Sequence, residues 1–142
     1  MTDQRTRTNN APLLAIAALA ALSLAACGGD GAEPTALSTG AFGLLEFAAD
    51  PIAPPAAGDN GFRVTLRELA SDDPLPGASL KVSALMPSMG HTAPEGVLID
   101  DVGGGVYEVE HLVFPMPGTW EVRYRAAKGD ITDEAAFRYE VR

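Results

Sequence analysis

The sequence predicts an all-β fold, an immunoglobulin-like β-sandwich of about seven antiparallel strands within residues 42–142. Three observations carry this expectation. Apolar residues recur at every second position in short runs, the period of a strand with one buried face. Turn signals rich in Asp, Pro and Gly separate these runs about every 8 to 15 residues. After the amino-terminal leader no long stretch repeats at the helical period.

Each element can be justified in turn. FGLLEFA, residues 42–48, is the first candidate strand. In FRVTLREL, Phe62, Val64 and Leu66 share one face and Arg63, Thr65 and Arg67 the other. In SLKVSALM, Leu80, Val82, Ala84 and Met86 oppose Lys81 and Ser83. GVLID, 96–100, and VYEVEHLVF, 106–114, follow. In TWEVRYR, Trp120, Val122 and Tyr124 oppose Glu121, Arg123 and Arg125, and Trp120 is a candidate core anchor. In EAAFRYEV, Ala135, Phe137, Tyr139 and Val141 oppose Arg138 and Glu140. SDDPLPG, DDVGGG, PMPG and AKGD supply the turns. The Cys…Trp…Cys pattern of antibody domains is absent.

Residues 1–26 read as a targeting segment. Arg5 and Arg7 precede a 16-residue run, APLLAIAALAALSLAA, too short to span a membrane and ending in small residues before Cys27. This arrangement resembles a bacterial lipoprotein signal. The resemblance implies cleavage before Cys27, a diacylglycerol on its sulfur and an acylated amino terminus, a stable anchor because more than one chain inserts. An ordinary signal peptide with an incidental Cys is the alternative. Either way the remainder is expected to be extracytoplasmic. With Gly28 after the Cys, the lipoprotein resemblance implies the periplasmic face of the outer membrane. Cys27 is the chain's single cysteine, so no disulfide forms within the chain, and lipidation leaves no thiol for catalysis or metal binding. Residues 27–41, small and Gly-rich, read as the lipidated Cys and a flexible tether.

Removing 1–26 takes Asp3, Arg5 and Arg7 from the totals of 19 acidic and 10 basic residues. Residues 27–142 therefore hold 18 acidic against 8 basic, a net charge of −10. That excludes nucleic acid as a partner and an electrostatic grip on anionic lipid. It also keeps a tethered protein soluble. Two histidines and no nucleophile motif leave no acid–base–nucleophile arrangement, so no enzyme is expected.

LPGASLKVSALMPSMGH, followed by GGGVYEVEHLVFPMPGTWEVRY, resembles the YtkA-like domain family, related to the FixH group. The matching positions are Met86, Pro87, Met89, Gly90, His91, Gly105, Tyr107, Met116, Pro117, Gly118 and Trp120. The resemblance covers about residues 42–142. It implies a β-sandwich, often on an anchored protein, and an association with copper handling and cytochrome oxidase assembly, without a settled activity.

Strand alternation in direction brings the MPSMGH and FPMPG turns to one end, with Met86, Met89, His91 and Met116 within reach of each other. The loop DPIAPPAAGDNG, 50–61, falls at that end too. The tether is expected to enter at the opposite end, so that this end faces away from the membrane. Thioethers with one imidazole suit Cu(I) and suit Ca²⁺, Mg²⁺ or Zn²⁺ poorly. Met is equally a filler of irregular gaps, and Met86 is in phase with a buried face. Two functions stay open: a lipid-anchored protein binding Cu(I) through these residues, or a metal-free module docking another envelope protein. His111 shares a phase with Tyr107, Val109 and Val113 and is expected to be packed at the core or its boundary. Asp72-Asp73 and Asp100-Asp101 read as solvated turn residues.

Overall fold

The computed structural model describes residues 36–142. Nine strands run in order: β1 (Ala36–Thr39), β2 (Leu45–Pro51), β3 (Gly58–Glu68), β4 (Ser79–Met86), β5 (His91–Thr92), β6 (Leu98–Gly103), β7 (Val106–Phe114), β8 (Gly118–Lys128) and β9 (Ile131–Val141). They form two antiparallel sheets, β1-β2-β3-β7-β6 and β5-β4-β8-β9. Without β1, the order β2-β3-β7-β6 against β5-β4-β8-β9 is that of an immunoglobulin-like sandwich. The chain changes sheet after β3, β5 and β7.

The period-two pattern builds the core as expected. Leu45, Phe47, Phe62, Val64, Leu66, Val109 and Phe114 from one sheet meet Leu80, Ala84, Trp120, Val122, Ala126 and Phe137 from the other, all buried. Each large apolar side chain buried here contributes about 1.5–3 kcal/mol. Trp120 anchors one end: it is fully buried, stacks 5.3 Å from Phe114 between ring centroids, and its Nε1–H donates to Met116 O at 3.0 Å.

All seven expected strands exist, but four local expectations need correction. Pairing begins at Ala36, inside the stretch 27–41 assigned to a tether. Ala36 pairs with Ala49 and Thr39 with Glu46, so backbone hydrogen bonds to the sheet edge override the small, polar composition. Residues 42–44 are a turn and not the start of a strand, because the Asp133 carboxylate takes the Phe42 and Leu44 N–H groups and Gly43 N donates back to Gly40 O. His111 is exposed and not packed. Between Phe62↔Val109 and Asn60↔Leu112, β7 holds two residues, Glu110 and His111, opposite Gly61 alone, a β-bulge that exchanges the strand's buried phase from Tyr107 and Val109 to Leu112 and Phe114. Finally, the chain enters the sandwich toward the end that carries the Met and His loops. Ala36 lies opposite Ala49, close to Pro51 and the 52–57 loop, and that loop meets Arg142 and Gly58↔Phe114. The leader 1–26, Cys27 and the front of the tether lie outside the described residues.

Candidate functional site

MPSMGH is a tight hairpin between β4 and β5. Met86 pairs with His91, and the Met89 and Gly90 N–H groups both donate to Met86 O, at 3.2 and 2.9 Å. Gly90 has φ +66, a conformation glycine adopts without steric cost. Directly paired residues of an antiparallel ladder project to the same face, so His91 stands beside Met86 on the inner face, at the open edge of its sheet. Met86 is 2% exposed, Met89 is 60% exposed at the hairpin tip, and His91 is exposed. The PMPG turn, 115–118, arrives at the same corner. A Cβ placed on Gly118 would stand 2.7 Å from Met86 Cε, so the thioether lies directly on that glycine. Met116, half-buried against the core, sits two residues before it. The structure thus gathers Met86, His91 and the Met116–Gly118 turn at one corner, with Met89 turned outward.

The other motif positions have structural work. Gly105 has φ +76, and a Cβ there would lie 2.7 Å from both Leu66 O and Leu75 N, so only glycine lets this turn pass under the 74–75 segment. Tyr107 pins that segment: its Oη donates to Leu75 O at 2.6 Å and accepts from Ala78 N at 2.8 Å. Burial, aided by the Asp101 carboxylate, raises the Tyr107 pKa against the opposing pull of the Ala78 N–H. Among the described residues Tyr124 Oη has no hydrogen-bond partner, and burial followed by the neighbouring Tyr139 phenol holds its pKa well above the usual value. Tyr139, also desolvated, is pushed up to about 12.

Two groups escaped the sequence analysis. Asp133 is fully buried. Its Oδ1 accepts from Phe42 N at 2.8 Å and Glu134 N at 2.9 Å, and its Oδ2 from Leu44 N at 2.8 Å and Leu45 N at 3.0 Å. Burial alone would raise its pKa; the four N–H donors outweigh that and hold it below the ordinary value. A Cβ on Gly40 would overlap this carboxylate. The signal was present: Asp133 is in phase with Ala135 and Phe137 on the buried face of its strand. The second is the Asp59 partner of His111, whose Nδ1 lies 2.8 Å from Asp59 Oδ2. The only hint was that Leu112 and Phe114 break phase with Tyr107 and Val109.

Among the described residues, no three His, Cys, Asp or Glu side chains converge on a metal position. At the corner described above, the donors are thioethers and one imidazole.

The YtkA-like family model matches residues 44–125, from the first core residues of β2 to β8. The chain belongs to the YtkA-like family. No curated protein matches the sequence. Among solved structures, this YtkA-like domain is similar to a DUF4426 family protein from Pseudomonas aeruginosa PAO1, with a TM-score of 0.53 and 15% identity over 74% of this chain and 94% of that one. It is also similar to FetP of uropathogenic Escherichia coli strain F11, with a TM-score of 0.51 and 8% identity over 68% of this chain and 87% of that one. A copper-bound E46Q variant of FetP gives a TM-score of 0.50 and 8% identity, covering 77% and 94%. These likenesses establish the sandwich that the YtkA-like chain shares with them.

Proposed function

We propose that this YtkA-like domain is an extracytoplasmic, non-enzymatic binding protein, lipid-anchored through Cys27, that takes Cu(I) at the corner where MPSMGH meets PMPG. The observation that carries this reading is the pairing of Met86 with His91 beside the Met116–Gly118 turn. His91 and Met116 would supply the accessible donors at the corner, with the Met86 sulfur beneath them, and Met89 would have to turn in from the exposed hairpin tip to join them. Neutral thioethers and an imidazole select a soft monovalent ion. The copper carried by the FetP variant on a similar sandwich accords with this reading. Among the described residues no helix is long and apolar enough to cross a membrane, and attachment through a lipidated Cys27 would need none.

A metal-free docking module is the second reading, favoured by Met86 acting as packing against Gly118. A Cu(I) titration under reducing conditions against a competing chelator separates them. One-to-one binding is expected in the protein, weakened by at least about tenfold in a Met89→Leu/Met116→Leu variant and again in His91→Ala, each loss of a ligand costing on the order of 1.4 kcal/mol or more. Equal, weak binding in all three would refute the copper site and leave the docking module.

A further inference from the structure

Three large apolar side chains stand together where β2 begins and β3 ends, at the end of the sandwich opposite the Met and His corner. Phe42 is 68% exposed, and Leu44 and Leu69 are each 45% exposed. Their backbones adjoin: Leu69 N donates to Leu44 O at 2.9 Å, and the Phe42 and Leu44 N–H groups reach the two oxygens of the one Asp133 carboxylate. Ala41, Gly43 and Ala70, also exposed, extend the surface, and none of these residues carries a charge. Polar groups rim it, with Asp72 and Asp73 alongside and Arg67 paired to Asp72. An exposed apolar surface with a polar rim marks a protein or membrane contact. The mounting is rigid, because the buried carboxylate fixes the turn that carries Phe42 and Leu44. Such a surface needs no ordering before it enters another phase.

The length of chain before the first strand selects between these two. Nine residue steps lead from Cys27 to Ala36 and span at most about 30–32 Å. Six more lead from Ala36 to Phe42 and span at most about 20–22 Å. Cys27 can therefore lie level with the Phe42 tip, although the chain enters the sandwich toward the other end. With acyl chains on Cys27, bilayer and tip are held in one small volume. A contact too weak to capture a free protein is then effectively intramolecular. Phe and Leu are side chains that settle at the boundary of headgroups and acyl chains. Asp72 and Asp73 beside the tip, on a chain of net charge −9, disfavour an anionic surface and leave a zwitterionic one.

We propose that Phe42, Leu44 and Leu69 dip into the zwitterionic bilayer that holds Cys27, so that the domain stands tip-down and the Met and His corner faces away from the membrane. This inference rests on the lipid anchor proposed above. The test uses the protein expressed from the full chain in a bacterial host and reconstituted into phosphatidylcholine vesicles, with and without dibrominated acyl chains. Flotation with the vesicles is read in parallel. Phe42→Trp is expected to lose fluorescence to the brominated lipid. Met89→Trp, at the other end, and the unaltered protein, whose Trp120 is fully buried beside Met116, are expected to keep theirs. In the Phe42→Trp background, Leu69→Asp is expected to relieve the quenching; Leu69 is exposed, so the core is untouched. Protein that floats with Phe42→Trp unquenched would overturn the inference alone and leave the surface to a protein partner. Quenching of Met89→Trp in its place would overturn it as well. Protein that does not float would refute the anchor, and this inference with it.

Discussion

Replacing Asp133 by Asn removes one acceptor oxygen from a buried site that now satisfies four backbone N–H groups. The two carboxylate oxygens take two donors each, at 2.8–3.0 Å. The Asn amide keeps one oxygen and turns an NH₂ group toward the other two donors. Each buried donor left unsatisfied costs about 1–3 kcal/mol, so the variant should lose about 2–6 kcal/mol. Native domains of this size hold only about 5–15 kcal/mol in total. Even the low end corresponds to a fall in Tm of roughly 8–16 °C. The assay is urea unfolding followed by the fluorescence of Trp120, with the m-value required to stay constant. The sign of the pH dependence follows from the lowered pKa. The carboxylate's contribution is fully present above the unfolded value of about 3.9 and is lost as pH falls from there through the folded value. The protein should therefore weaken in that acid window more steeply than the Asn variant does. A loss below about 0.5 kcal/mol at pH 7, the range of ordinary surface substitutions, would refute the reasoning.

Other substitutions give equally direct outcomes. Tyr107→Phe strips a donor from Leu75 O and an acceptor from Ala78 N and should cost about 1–3 kcal/mol, whereas Tyr124→Phe removes a hydroxyl with no partner and should be neutral or stabilising by urea unfolding. Met86→Leu conserves volume and should cost less than about 1.5 kcal/mol, while Met86→Ala should cost about 2–5, both read as urea midpoints. Gly105→Ala forces a Cβ to 2.7 Å from two backbone atoms at φ +76 and should prevent accumulation of folded protein, measured as soluble yield and circular dichroism.

Most of the sandwich was legible because one face of each strand is dry, and a dry face writes itself into the sequence at period two. Phe62, Val64 and Leu66 declared their strand this way, as did Trp120, Val122 and Tyr124. Pairing that depends on backbone alone left no such record. β1 reads as a tether because Ala36 to Thr39 have no strong side-chain preference, and β5 is too short to show a period. The bulge was hidden because Tyr107, Val109, His111 and Val113 make an acceptable alternation by themselves. Only the space taken by Leu112 and Phe114 decides against it. At the candidate site, the hairpin chemistry of Pro87 and Gly90 and the shared corner could be reasoned from strand direction. The contact of Met86 with Gly118, and the roles of Gly105 and Tyr107 in holding a neighbouring segment, depend on cross-strand register that spacing does not encode. Asp133 was visible in phase and went unread, since an acidic residue on a buried face has meaning only once its donors are known.

The Asp133 clasp also has a mechanical meaning. β1 runs away from the Met and His corner, then the Gly40–Leu45 turn reverses into β2. A pull applied at Ala36 along the strand axis, away from the body, loads the β1–β2 ladder in shear, all its bonds together. Tension that passes this short ladder arrives at the turn, where one carboxylate holds the Phe42, Leu44 and Leu45 N–H groups and Ala41 N is bonded to Glu134 O. Force is thus handed to the β8–β9 hairpin of the opposite sheet, whose eleven paired positions make it the longest ladder in the domain. The core residues that begin at Leu45 bear load only after that clasp has torn.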